Sequence, residues 1–299
     1  MKAPLDLSIS VVVPAHNRPA ELSRALASLA AQTVRPDEVI VVDDASDEPV
    51  TVDEKLHAVL KLRILRHAVN GGAAAARNTG LAEASSKWVS FLDSDDAWPA
   101  DSLALRLEHL ARRQSASPDP RIIHGCGWID CDPAGRLLRV RHPRPSRSVA
   151  DFASGCWFSP GSCVIVDRAA VLQAVPGGQD ASLRRLEDYD WCLALAMAGF
   201  RFEAAPVIGA RIELKPSKSS TDIRAAVTAL REKWRPILAG GPLWSRMEAY
   251  LELELAAAWH RAGHRGRMVG ALLRSFARQP RMRLHTSPGW DVRKAPPAD

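Results

Sequence analysis

Ile9-Ser-Val-Val-Val-Pro-Ala-His-Asn-Arg18 sets an apolar, β-branched run directly against a polar tip. The pattern recurs at Val39 to Val42, Leu62 to Leu65 and Trp88 to Leu92, each run short enough for a buried strand. Helix-period segments lie between the runs: Pro19 to Ala31, opened by a proline, Val52 to Leu60, and the alanine-rich Gly72 to Glu83. Strands alternating with helices predict an α/β fold, a Rossmann-like and mostly parallel sheet flanked by helices and joined by right-handed crossovers.

Beyond Pro99 the spacing predicts a helix to about Arg113, a loop over Ser115 to Pro120, and strands near Ile122 to Ile129 and Ser162 to Val166. Between those strands, Arg139 to Arg147 mixes arginine with proline, which removes backbone donors, so a mobile loop is expected. Helical periodicity returns over Arg185 to Phe200. From about Asp222 it persists as a helical C-terminal extension with breaks at Pro236, Gly240-Gly241-Pro242 and Gly263. The chain therefore divides at residue 220, into an α/β part over 1–220 and a helical part over 221–299.

With 46% hydrophobic and 25% charged residues, the 299-residue chain can bury a sizeable core and is not of disordered composition. It contains no uninterrupted apolar run of a length that spans a bilayer, and its start lacks a secretion-signal pattern, so a cytoplasmic protein is expected. Five cysteines match no paired zinc-knuckle spacing and cannot form a complete disulfide set, so reduced thiols are expected. Charge is uneven: residues 1–114 hold 13 Lys/Arg against 16 Asp/Glu, and residues 115–299 hold 27 against 18. The basic excess concentrates in 261–299, without the interleaved aromatics of a nucleic-acid platform, and no nucleic-acid partner is expected.

The polar residues of the first third gather at the strand ends. His16-Asn17, Asp43-Asp44, Asn70 to Asn78 and Asp93-Ser94-Asp95-Asp96 each follow their own strand. In an open parallel sheet those ends share one edge, so the four clusters should meet in a common crevice where such sheets bind ligands. Asp93, Asp95 and Asp96 repel one another, and a Mg²⁺ or Mn²⁺ bridging a diphosphate would neutralise them. A helix N-cap explains one of the three carboxylates at most. Asp43-Asp44-Ala45-Ser46 reads either as a turn or as a carboxylate placed to accept the imide N–H of a uracil-like base.

Five segments in order, Ser10 to Arg18, Val42-Asp-Asp-Ala-Ser46, Asn70-Gly-Gly with Ala76-Arg-Asn-Thr-Gly80, Phe91-Leu-Asp-Ser-Asp-Asp96 and Leu186-Glu-Asp-Tyr-Asp190, resemble the family 2 glycosyltransferases of GT-A fold over residues 8–220. The resemblance implies an inverting transferase that moves a sugar from a nucleotide-diphospho-sugar, UDP-sugar favoured, to the hydroxyl of a saccharide or lipid-linked acceptor. It implies a nucleotide-sugar half over 1–114 and an acceptor-side half over 115–220. On this pattern Pro14, His16, Asn17, Asp43, Asp44, Asn70, Arg77, Asp93 and Ser94 contact the nucleotide-sugar, with Asp44 on the base. Asp95 and Asp96 hold the Mn²⁺ or Mg²⁺. Asp188 is the expected catalytic base, with Glu187 and Asp190 as alternatives; two acids in a helix's first turn are also simply favourable there. The segment Leu214 to Ser220 lacks the histidine the family often carries, and either Lys215 or Lys218 contacts the diphosphate instead or the segment is a solvated basic loop.

Trp157 is a candidate stacking platform for an acceptor sugar, or a core residue. His260 and His264 stand four apart without a third ligand and are not expected to bind metal. Residues 261–283 carry seven arginines and no acid, with Met268, Val269, Leu272, Leu273 and Phe276 at helical spacing. Such a helix either lies on an anionic membrane surface, as would suit cell-surface polysaccharide or glycolipid assembly on the inner face of the cytoplasmic membrane, or packs its apolar face on the protein. A nucleotidyltransferase would want a glycine-rich basic loop where Pro14 to Arg18 stand. A catalytically inactive nucleotide-sugar-binding protein would have lost the Asp-x-Asp or the base.

Overall fold

The computed structural model describes residues 5–146, 148–155, 161–214 and 220–280, and the backbone of 291–294. Among the described residues nine strands form one sheet: β1 (Ile9–Ala15), β2 (Glu38–Asp43), β3 (Leu62–Arg66), β4 (Trp88–Phe91), β5 (Ile122–Cys131), β6 (Leu137–His142), β7 (Ile165–Asp167), β8 (Arg201–Glu213) and β9 (Asp291–Lys294). Their order is β3-β2-β1-β4-β7-β5-β6-β9, with β8 paired to β5. The first four are parallel, and β7 runs antiparallel to β4. Because β2 and β4 flank β1 on opposite sides, the chain reverses its winding there, and the carboxyl ends of these strands open a crevice.

Alternation along β1 feeds two cores. Val12, Ile40, Val42 and Phe91 face one side; Val11, Val13, Val39 and Val41 face the other. The second side is closed by α1 (Pro19–Ala30), α2 (Glu54–Val59) lies beside β3, and α3 (Ala73–Glu83) covers the first side. Next come α4 (Ser102–Ala116), α5 (Val149–Ala153), α6 (Arg168–Ala174) and α7 (Glu187–Met197). Gly80 of α3 sits directly on β1, where a Cβ would come within 2.2 Å of Val12 Cγ1.

The C-terminal helices α8 (Ser220–Leu238), α9 (Pro242–Arg261) and α10 (Arg265–Arg278) are not a separate body. Ile223, Leu230, Trp234, Tyr250 and Leu251 join the same core cluster as Val12 and Tyr189. Lys233 and Trp234 of α8 hold Asp190 of α7, and Glu248 and Glu252 of α9 pair with Arg231, Arg274 and Arg278. The expected break at Pro236 does not occur. Proline sits near the end of α8, which runs two residues past it to Leu238.

Two other expectations are corrected. Arg139 to His142 is not loop but part of β6, because Arg139 and Arg141 both pair with the buried Asp130 across the ladder from β5. The 13-residue β8 was not expected. Pro206 lies where its register against β5 jumps from Ala205↔Cys126 to Ile208↔Gly127, so the ring occupies a bulge and no ladder hydrogen bond is lost to it.

Candidate functional site

One cavity of about 730 Å³ lies at the carboxyl ends of β1, β2 and β4, closed by the start of α7 and the end of β8. The tip of β1 contributes Pro14, Ala15, His16 and Arg18. Asn17, with φ of +52°, does not line it. Its side chain exchanges bonds with Asp47, and its N–H donates to Ser46 Oγ, stitching the first strand tip to the second.

The adjacent aspartates of the β2 tip have different duties. Asp43 is fully buried, away from the cavity, and accepts from the backbone N–H of Ser46 and Val50 and from Arg66. Burial opposes its charge, but the Ser46 and Val50 bonds and the guanidinium of Arg66 prevail and hold its carboxyl below the usual range. Its expected contact with the nucleotide-sugar is therefore replaced by a turn-holding role. Asp44 does line the cavity. It accepts from the N–H of Gly71 at 2.9 Å, of Gly72 at 2.6 Å, and from His67 Nδ1 at 2.7 Å. Thr79 Oγ1, 2.9 Å from His67 Nε2, fixes the ring from behind, so Asp44 is an immobilised acceptor.

From α3 come Gly72, Ala73, Ala74, Ala76 and Arg77, with Asn70 just before. Gly72 is the N-cap with φ of +88°, a conformation glycine supplies without strain. Arg77 is buried and points across the cavity, donating to Asp93 Oδ1 at 2.7 Å, Gln179 Oε1 at 3.3 Å and Glu187 Oε1 at 3.5 Å. Although burial disfavours its charge, Asp93 and Glu187 raise its pKa above the ordinary value.

The β4 tip brings in Asp93, Ser94, Asp95 and Asp96 together. Asp95 pairs with Arg18 at 2.8 Å. Asp96 is buried and takes a 2.5 Å bond from Ser162 Oγ. Burial first, then the charge of Asp93 with that of Asp95 behind it, pushes its carboxyl well above the usual range, although Ser162 opposes the shift. Among the described residues no group of three or more His, Cys, Asp and Glu is arranged to hold a metal by itself. A magnesium-type ion needs only one or two carboxylates when phosphate oxygens and water complete its shell. The crowded acids of the β4 tip fit that donor set.

At the first turn of α7, Glu187 stands in the cavity wall. Burial and the neighbouring charge of Asp188 raise its carboxyl, with Arg77 opposing. Asp188 is half-buried outside the lining, with Oδ1 accepting the N–H of Tyr189 at 2.7 Å. Asp190 is withdrawn from the site: it is buried, bonded to Lys233 at 2.6 Å and Trp234 at 2.8 Å, and serves to dock α8. Trp157, Lys215 and Lys218 lie outside the described residues.

Arg18, Arg184, Arg185 and Glu213 line the cavity and had not been assigned to it from the sequence. A signal existed for three of them: Arg18 closes the first motif, and Arg184-Arg185 immediately precede Glu187-Asp188. Glu213 ends the strand whose existence was missed.

Residues 10–171 match the family model described as glycosyl transferase family 2. The amylovoran biosynthesis glycosyltransferase AmsB of Erwinia amylovora is 30% identical over 205 residues, covering 66% of this chain and 66% of its own. The UDP-Glc:alpha-D-GlcNAc-diphosphoundecaprenol beta-1,3-glucosyltransferase WfgD of Escherichia coli is 31% identical over 107 residues, 36% of this chain and 42% of its own. The chain thus spans two thirds or less of the length of these relatives. Staphylococcus aureus TarS 1–349, crystallised with UDP, superposes with a TM-score of 0.56 at 18% identity, covering 92% of each chain, which shows a shared fold.

Proposed function

The chain belongs to glycosyl transferase family 2, and on that premise we propose that its cavity binds a nucleotide-diphospho-sugar, with UDP as the nucleotide, and that the protein passes the sugar to an acceptor hydroxyl with inversion. The observation that carries this reading is the convergence of three strand tips, the start of α3 and Glu187 of α7 on one cavity. Asp44, held by two backbone N–H groups and His67, is placed to accept the imide N–H of uracil, a bond that cytosine cannot offer at that ring position. The TarS structure with UDP supports the same nucleotide.

Asp95 with Asp96 is where Mn²⁺ or Mg²⁺ would be held, and a divalent ion there supplies positive charge against the diphosphate. Proton acceptance from the acceptor hydroxyl falls to the Glu187 and Asp188 pair. Glu187 faces the cavity with a raised pKa, as suits a base working near neutral pH. Arg77 ties Glu187 to Asp93, so this acid and the donor side are positioned through one guanidinium.

Cell-surface polysaccharide or glycolipid assembly is the proposed setting, with a lipid-linked acceptor of the kind named for WfgD. Among the described residues no helix is long and apolar enough to cross a membrane. Contact would instead be peripheral, on the cytoplasmic face. Only Ala271 and Ser275 of α10 are buried, whereas Val269, Leu272, Leu273 and Phe276 are exposed in a row at i, i+3, i+4 and i+7, in a stretch with no acids. The test is a transfer assay with a panel of UDP- and GDP-sugars and a polyprenyl-diphosphate-linked sugar acceptor. Product from a UDP-sugar is expected, and product only from a GDP-sugar would overturn the base assignment.

A further inference from the structure

Four arginines line the cavity, and acids already match two of them: Arg18 pairs with Asp95, and Arg77 with Asp93 and Glu187. Arg184 and Arg185 have no acidic partner among the described residues. Arg184 makes one neutral hydrogen bond, Nη1 to Asn70 Oδ1 at 3.1 Å. Arg185 makes none among the described residues, and its Nε is buried without an acceptor there. A buried donor left unpaired is unfavourable, and native proteins keep few of them unless a ligand or water completes the bond.

The loop that carries these arginines is fastened on both sides. Gln179 and Asn78 exchange two bonds of 2.7 Å, clamping it to α3, and Lys233 of α8 pairs with Asp180 at 3.0 Å. Arg184 lies over Gly72, where an added Cβ would stand 2.4 Å from Nη1. The guanidinium is therefore seated at the N-terminus of α3, whose N-cap Gly72 donates its N–H to Asp44 and whose first residues face the cavity. Helix dipole and guanidinium charge add there, against the single carboxylate of Asp44.

We propose that Arg185, with Arg184 beside it, binds the diphosphate of the donor. The inference rests on the donor reading above. A diphosphate entering this cavity meets Asp93, Asp95 and Glu187, whose charges are only partly offset by Arg18 and Arg77. Besides a divalent ion, cations not already committed to carboxylates favour its binding. A guanidinium also presents donors in a planar fork that matches phosphate oxygens, and the unpaired Nε of Arg185 gains the acceptor it lacks.

The test is calorimetric titration of the full chain with UDP and with uridine, at one Mn²⁺ concentration, for the natural protein, Arg185→Gln and Arg185→Lys. Thermal melting of each variant serves as the folding control. Loss of a charged hydrogen bond predicts that Arg185→Gln raises the Kd for UDP about ten- to hundredfold and leaves that for uridine unchanged. Arg185→Lys, which keeps the charge but not the fork, should fall between. Unchanged UDP binding in Arg185→Gln, or equal weakening of UDP and uridine, overturns the proposal while leaving the nucleotide site intact. Failure of the natural protein to bind either ligand instead removes the donor reading, and this inference with it.

Discussion

Replacing His124 with glutamine should flatten the acid sensitivity of folding. His124 lies on β5, 5% exposed, with its ring edge-on to Trp88 at 5.6 Å between centroids and its Nδ1 without a partner. Burial is the main reason its pKa falls from 6.5 to about 4, with the nearby Glu203 opposing and the charges of His109 and Arg113 adding to the fall. The unfolded chain therefore takes up this proton near pH 6.5, and the folded chain only near pH 4. Stability from this residue is fully present above pH 6.5, declines as the pH falls through that window, and levels off below about 4. The gap corresponds to ~3 kcal/mol, lost at ~1.4 kcal/mol per pH unit at the steepest. Urea unfolding of both proteins from pH 7.5 to pH 4 measures it. Their difference in unfolding free energy cancels the carboxylates and other histidines common to both, and it should shrink by about that ~3 kcal/mol. A difference that stays constant across the window would refute a buried neutral His124.

Gly80→Ala gains ~1 kcal/mol of helix propensity, yet its methyl must enter space held by Val12, so a net loss of about 1–2 kcal/mol is expected in denaturant unfolding. Glu252→Ala leaves Arg274 without its acid and Arg231 with Glu248 alone, both arginines being partly open to water, for a loss of about 2 kcal/mol. Amide exchange should accelerate in α10 while α3 keeps its protection. Glu187→Gln and Asp188→Asn should both retain UDP binding and lose transfer, with the base showing the larger fall, about a hundredfold or more in kcat. Retention of transfer in both would remove α7 from the chemistry.

Local pattern carried the first half of the fold, because β1, β2 and β4 are apolar runs buried on both faces and their polar tips need no distant partner to be noticed. What it could not carry depends on residues far along the chain. Arg139 and Arg141 look like solvent-facing loop residues until Asp130 is placed opposite them. Arg201 to Glu213 looks too poor in β-branched residues and too broken by Pro206 and Gly209 for a strand until β5 supplies its partner and the bulge. The same limit applies to the site. Asp43 and Asp44 are neighbours in sequence, but only the pleat decides that one turns to the core and the other to the cavity. Asp190 resembles a third acid of the α7 motif, and its partner Trp234 is 44 residues away.

The most direct test is calorimetric titration of UDP, with GDP as the comparison, into the natural protein and Asp95→Ala, each with Mn²⁺ and with EDTA. The account predicts saturable binding of UDP over GDP, stronger with Mn²⁺ and weakened by Asp95→Ala to the level seen in EDTA. Binding of neither nucleotide under any condition would contradict it, because the strand tips would then be converging on something other than a nucleotide-sugar.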